Sequence, residues 1–373
     1  MSSGAKCKKN CSELLVPISR LWEDHLKGNK TWLSLLVLVL LSSPRGSAQA
    51  PAAQEIKNTE LEYRLKTALA KTSGIWGVGV KHIERNEFTG INPDERFQMA
   101  SVFKIPVLVE LFHQVKEGKI SLDERLEWQD PQLYFGSGIL VTLDPGLRPT
   151  VRDLATLMII VSDNAATDIL CKRLGFDQIN ARMRALGLTK TSVDVGTRDL
   201  ILQALGLPGE AYRNLTIDAL EKLDRKKISA EVQHNQEEFL RRCPNCGTPR
   251  EITSLMEKLV TGQLTDKEPT AQMLRMLSRQ QFNERLPRWL SYDVRVDHKT
   301  GTLLAPVWVA NDAGIIYLPN RERLIICVFS RGTEAGLSEA QIKAAISNAE
   351  GVIGEIGKIA FDYYTTTEAS KHD

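Results

Sequence analysis

Phe97-Gln98-Met99-Ala100-Ser101-Val102-Phe103-Lys104-Ile105-Pro106-Val107-Leu108-Val109-Glu110-Leu111 is mostly apolar, and Ser101 and Lys104 interrupt it three residues apart. In a helix that spacing puts the hydroxyl and the amine on one face, within reach of each other. A serine hydroxyl becomes a useful nucleophile only when a neighbouring base takes its proton. A lysine serves as that base when burial or nearby cations lower its pKa. Taken alone, the pattern equally describes a serine near a helix start and a snorkelling lysine. The segments around it decide between the two.

Upstream, residues 57–72 have helical periodicity. Residues 74–83 alternate as a strand, Arg85-Asn86-Glu87 makes a turn, and residues 88–92 return as a second strand. Downstream, residues 121–148 are loop-rich. Thr150 and Asp153 form an N-cap signal for a helix over 154–161. Ser162-Asp163-Asn164 ends it, and helices over 165–174 and 176–186 follow. Residues 188–247 form an excursion with a charged helical piece at 217–240. Thr248-Pro249 opens a helix over 252–261, and another covers 270–281. The chain then returns to strands at 294–302, 305–310, 313–318 and 324–329, with Asn311-Asp312 separating the middle pair. A long amphipathic helix covers 338–363. Strands at both ends around a helical middle predict an α+β fold, an antiparallel sheet flanked by helices plus an all-helical sub-domain. The expected division is 55–98 with 288–373 for the sheet, and 99–287 for the helices, with 200–247 as an insertion.

The 373 residues are 42% hydrophobic and 25% charged with a net charge of +2, which implies neither a nucleic-acid partner nor a strong membrane-surface field. A basic segment, an apolar run at 32–41 and small residues to Ala50 give residues 1–54 the pattern of an export signal, cleaved or kept as an anchor through 32–41. Ten residues fall short of the roughly 20 that span a bilayer. The expected location is the periplasm or the exterior, as a monomer. Cys171 and Cys327 sit in apolar stretches and read as buried thiols. Cys243-Pro244-Asn245-Cys246 reads as a local disulfide or as half of a zinc knuckle whose second half is missing. The six histidines lack metal-ligand spacing, and Gly-rich phosphate loops are absent, so no cofactor or metal is expected.

Three polar clusters occur in order: Ser101-x-x-Lys104, Ser162-Asp163-Asn164 and Lys299-Thr300-Gly301. With the text around them, the sequence resembles the class A β-lactamases and related penicillin-recognising serine hydrolases, from about Gly74 to Tyr363. The resemblance implies a small β-lactam or peptide-like substrate and a role for each cluster. Ser101 attacks the amide carbonyl, Lys104 is the base or relay, and Ser162 passes a proton to the leaving nitrogen. Asn164 bonds the substrate amide, Lys299 and Thr300 hold its carboxylate, and Gly301 leaves room for substrate. The amides of Ser101 and Thr302 form the oxyanion hole. Asp163 is expected to be structural and His298 a strand residue. Two departures stand out. The family glutamate that activates the deacylating water has no counterpart, since no Glu lies between Ser162 and Glu210; Asp199 or Glu210 are the substitutes in view. The position of the carboxylate-binding arginine holds Ala313, with Arg285 or Arg331 as replacements. A D-Ala-D-Ala peptidase or esterase, and a penicillin-binding sensor that acylates and stops, are the alternative readings.

Overall fold

The computed structural model describes residues 55–128, 134–212, 214–222 and 230–369. The segment at 1–54, with Cys7 and Cys11, lies outside them. Asn58 starts the first helix, α1 (Thr59–Leu69), by accepting from the Leu61 amide at 3.0 Å. Gly74, at φ +96°, turns the chain into β1 (Ile75–His82). A turn with Asn86 in the left-handed region, at φ 50°, leads to β2 (Glu87–Ile91). A two-residue strand, β3 (Phe97–Gln98), and a 3₁₀ turn (Ala100–Phe103) then lead into α2 (Lys104–Lys116).

The helical middle follows as α3 (Val151–Ile160), α4 (Asn164–Leu174), α5 (Phe176–Ala185) and α6 (Thr197–Ala204). Thr150 and Asp153 form a full capping box on α3, as their spacing predicts. The charged piece expected at 217–240 is two helices, α7 (Ile217–Glu221) and α8 (Ala230–Arg242). A second short strand, β4 (Cys246–Gly247), pairs with β3. Thr248 caps α9 (Pro249–Val260), with Pro249 in its first turn, and α10 (Lys267–Leu277) follows.

The chain closes with β5 (Val296–Leu303), β6 (Val309–Tyr317), β7 (Arg323–Arg331) and α11 (Glu339–Ala369). The five long strands form an antiparallel sheet in the order β2-β1-β7-β6-β5. Central β7 is apolar on both faces because both are covered. Leu324, Ile326 and Val328 pack with Leu61 and Leu65 of α1 and Ile353 and Ile356 of α11. Ile325, Cys327 and Phe329 join the larger core of the helical side, with Ile252 and Leu255 of α9.

One strand expectation fails. Asn311-Asp312 is not a break between two strands but lies inside β6. Both side chains are buried with tertiary partners: Asn311 Nδ2 donates to the Gln98 carbonyl at 2.8 Å, and Asp312 faces His298 at 3.0 Å. Polar residues that signal a turn in sequence are here the ties between strands. Among the described residues, no helix is long and apolar enough to cross a membrane.

Candidate active site

The position of Ser101 is set from behind by short polar contacts. Gln98 Nε2 donates to the Pro244 carbonyl at 2.5 Å, and its Oε1 accepts from the Ala100 amide at 2.9 Å. The Met99 amide donates to the Asn245 carbonyl at 3.1 Å. Cys243 and Cys246 form a disulfide that closes this four-residue loop, which settles the choice between disulfide and knuckle. Ala100 then adopts φ 45°, a left-handed conformation that costs a non-glycine residue about 1–3 kcal/mol and is held by its surroundings. Ser101 follows within the 3₁₀ turn, and Lys104 is the first residue of α2.

Ser101 and Lys104 therefore do not share one regular helix. Among the described residues, no hydrogen bond joins the Ser101 hydroxyl to Lys104. The Lys104 amine, fully buried, donates instead to Ser162 O at 2.7 Å, Ser162 Oγ at 3.1 Å and Asn164 Oδ1 at 2.9 Å. Lys299, also fully buried, reaches the same Ser162 Oγ from β5 at 3.0 Å and donates to Thr300 O at 2.8 Å. Burial pushes the Lys104 ammonium down to about 7, opposed by the charges of Asp168 and Asp163. Burial, then the Lys104 charge, holds Lys299 well below its usual range.

Ser162 thus sits between two amines. Its backbone is left-handed, at φ 55°, and its carbonyl also accepts from Ser137 Oγ at 2.8 Å. With both hydroxyl lone pairs taken by lysine donors, its own proton is left to point elsewhere. Asp163 is structural, as expected: it accepts from the amides of Ile139, Leu140 and Ala166 at 2.6, 2.9 and 2.9 Å, and so caps α4. His298 is a buried strand residue between Asp312 and Asn283.

A cavity of about 270 Å³ opens beside these groups, lined by Ser101, Ser137, Ser162, Phe282, Glu284, Arg285, Thr300, Thr302 and Glu350. Of the expected residues, Ser101, Ser162, Thr300 and Thr302 face it, while Lys104, Lys299, Asn164 and Gly301 stand behind. The space beside Gly301 is not for substrate. A Cβ there would meet Met99 O at 2.6 Å and the Ser101 and Val102 nitrogens at 3.0 Å, so the glycine lets β5 press against the 3₁₀ turn that carries Ser101.

Ala313 is buried, and of the two arginines expected in its place only Arg285 lines the cavity. Its Nη1 donates to the Gly301 and Asn311 carbonyls at 2.7 and 2.6 Å, and its Nη2 to Thr302 Oγ1 at 2.5 Å and Glu350 at 3.2 Å. Arg331 ends β7 and does not line the cavity. Glu284 and Glu350 had no sequence signal, because they come from a loop and from a helix that reads as a plain amphipathic cover.

The model of the beta-lactamase enzyme family matches residues 60–364, which takes in all three clusters. The chain belongs to the beta-lactamase enzyme family. Beta-lactamase VEB-1 of Pseudomonas aeruginosa is 25% identical over 344 residues, 88% of this chain and 97% of VEB-1. Beta-lactamase SME-1 of Serratia marcescens is 23% identical, over 75% of this chain and 80% of SME-1. The crystal structure of a beta-lactamase from Sphaerobacter thermophilus superposes with a TM-score of 0.62 at 25% identity, covering 82% of this chain and 97% of that one. Within this family the chain is a serine beta-lactamase-like hydrolase. Its glutamate gap is not filled by the two residues expected to substitute. The Asp199 side chain is 63% exposed and pairs with Arg198 at 3.6 Å, Glu210 is exposed in a 3₁₀ turn, and neither lines the cavity.

Proposed function

We propose that this enzyme hydrolyses the amide bond of β-lactams through an ester on Ser101. The observation that carries the reading is the shared hydroxyl of Ser162, bonded at 3.1 Å to Lys104 and at 3.0 Å to Lys299 beside the cavity that Ser101 lines. The three acceptors around Lys104 describe its ammonium form. Once neutral, it has a lone pair free to take the Ser101 proton, and a pKa near 7 makes that form available at neutral pH. Ser101 Oγ then bonds to the carbonyl carbon, with the oxyanion at the Ser101 and Thr302 amides. As the C–N bond breaks, Ser162 gives its proton to the nitrogen and is reprotonated by Lys104. Thr300, Thr302 and Arg285 bind the substrate carboxylate from the cavity wall, Lys299 supports it from behind, and Asn164 orients the amide side chain.

The same reading gives the sheet (55–98 and 288–373) and the helices (99–287) as two sub-domains meeting at this site. It makes the protein an exported monomer with residues 1–54 as signal or anchor. The missing glutamate favours a second reading within the same chemistry, a penicillin-binding protein that releases its ester slowly. Loss of a general base costs roughly 10²–10⁴-fold in the step it serves. Stopped-flow absorbance with a chromogenic cephalosporin tests both. The expected trace is a burst of about one equivalent followed by slower turnover. A linear, burst-free trace at high rate would refute slow deacylation, and no product at all would remove β-lactam hydrolysis.

A further inference from the structure

The segment between α10 and β5 is pinned at Gln280, Asn283 and Arg285. Gln280 is buried: its Oε1 accepts from the Gln281 and Phe282 amides at 2.9 and 3.2 Å, and its Nε2 donates to the Ile159 carbonyl at 2.9 Å. Asn283 Oδ1 lies 3.2 Å from His298 Nε2. Arg285 is buried and donates to the Gly301 and Asn311 carbonyls, to Thr302 and to Glu350. Between these anchors Phe282 and Glu284 project outward, and both line the cavity beside Ser101. Phe282 is 44% exposed, and Glu284 is exposed as well. Among the described residues the Glu284 carboxylate has no hydrogen-bond or ion-pair partner.

The cavity wall thus carries opposite charges side by side. In the proposed function Arg285, Thr300 and Thr302 take the substrate carboxylate. Glu284, next to Arg285 in the chain, and Glu350, 3.2 Å from Arg285 Nη2, set two carboxylates against that single guanidinium. Glu350 is partly neutralised by Arg285, whereas the Glu284 charge is uncompensated. Phe282 adds an aromatic ring, whose quadrupole attracts a cation over its face. A substrate carrying only negative charge meets Arg285 and is repelled by Glu284. One that also carries a positive group is held by the carboxylate and by the ring. We propose that the site selects zwitterionic β-lactams, whose carboxylate goes to Arg285 and whose cationic substituent goes to Glu284 and Phe282. The cation has to branch close to the carboxylate, because Glu284 adjoins Arg285. It is therefore a substituent of the fused ring, not of the acyl side chain that Asn164 orients.

The inference rests on the proposed Ser101 acylation and names the substrates it favours. Its test uses two cephalosporins with the same acyl side chain. One bears a pyridiniomethyl group and the other an acetoxymethyl group, on the ring carbon next to the one that carries the carboxylate. The second-order rate constant for acylation of the full-length protein is measured for each by stopped-flow absorbance, so slow deacylation does not enter. The ratio of the two constants, pyridinium over acetoxy, is compared between variants, which cancels the different reactivity of the two compounds. In Glu284→Gln the ratio should fall about three- to fivefold, the size of a partly exposed charge pair. Phe282→Leu should lower it about two- to fourfold, the loss of an exposed cation–aromatic contact. Glu284→Asp keeps the charge and should keep the wild-type ratio, and Glu284→Lys should lower it furthest. Both positions are exposed, and thermal melts confirm that each variant is folded. An unchanged ratio in Glu284→Lys overturns the inference while leaving the Ser101 reading intact. A wild type that neither compound acylates overturns that reading, and the inference with it.

Discussion

Glu350 brings a negative charge to the cavity wall where the substrate carboxylate is to bind. Its Oε1 accepts from Arg285 Nη2 at 3.2 Å, so it neutralises part of the cation proposed to bind that carboxylate. Glu350→Gln frees that charge and should lower KM for carboxylate-bearing β-lactams, with kcat little changed. The pair joins a buried arginine to a partly exposed glutamate, and a change of about 1 kcal/mol in carboxylate binding is about fivefold in KM. Steady-state kinetics check this, and an unchanged or higher KM would show that Arg285 does not face the carboxylate. At this scale the sequence was informative where a residue's chemistry is local. Ser101, Lys104, Ser162 and Lys299 could be picked out because their spacing recurs as text. Asp168 could not: in Ala165-Ala166-Thr167-Asp168-Ile169-Leu170 it reads as a solvated helix face, and only the returning loop makes it a buried cap. Nor does spacing show that Lys104 points at Ser162 and Asn164 rather than at Ser101.

The sheet elements were legible from alternation and from the apolar run of β7, whose burial on both faces follows from its central place. The exception is β6, where Asn311-Asp312 looked like a turn because its partners, Gln98, Ser330 and His298, are distant in sequence. Asn311 binds Gln98 O at 2.8 Å and accepts from the Ser330 amide at 2.9 Å, joining β6 to β7 and to the strand that leads into Ser101. Asn311→Leu leaves both backbone groups buried and unpaired. Each such group costs about 1–3 kcal/mol, so the variant should lose roughly 2–6 kcal/mol in urea unfolding. A loss under about 0.5 kcal/mol, the level of a neutral surface change, would mean that these ties do not support the strand.

Across the whole molecule, segments from four places in the chain converge on one hydroxyl and one cavity. The 3₁₀ turn brings Ser101, α2 brings Lys104, the left-handed entry to α4 brings Ser162, and β5 brings Lys299. The disulfide loop at 243–246 and the 192–198 segment brace this meeting point: the Asn245 side chain accepts from the Asp194 and Val195 amides at 2.6 and 3.0 Å, and the Asn245 carbonyl holds Met99. The proposed function makes Ser101 Oγ the atom that bonds to substrate. Intact-mass spectrometry of wild type and Ser101→Ala after brief mixing with a penicillin, both confirmed as folded by thermal melts, tests that most directly. Wild type should carry a single covalent adduct of the penicillin's mass and Ser101→Ala none. An adduct of the same mass and extent on Ser101→Ala would contradict it.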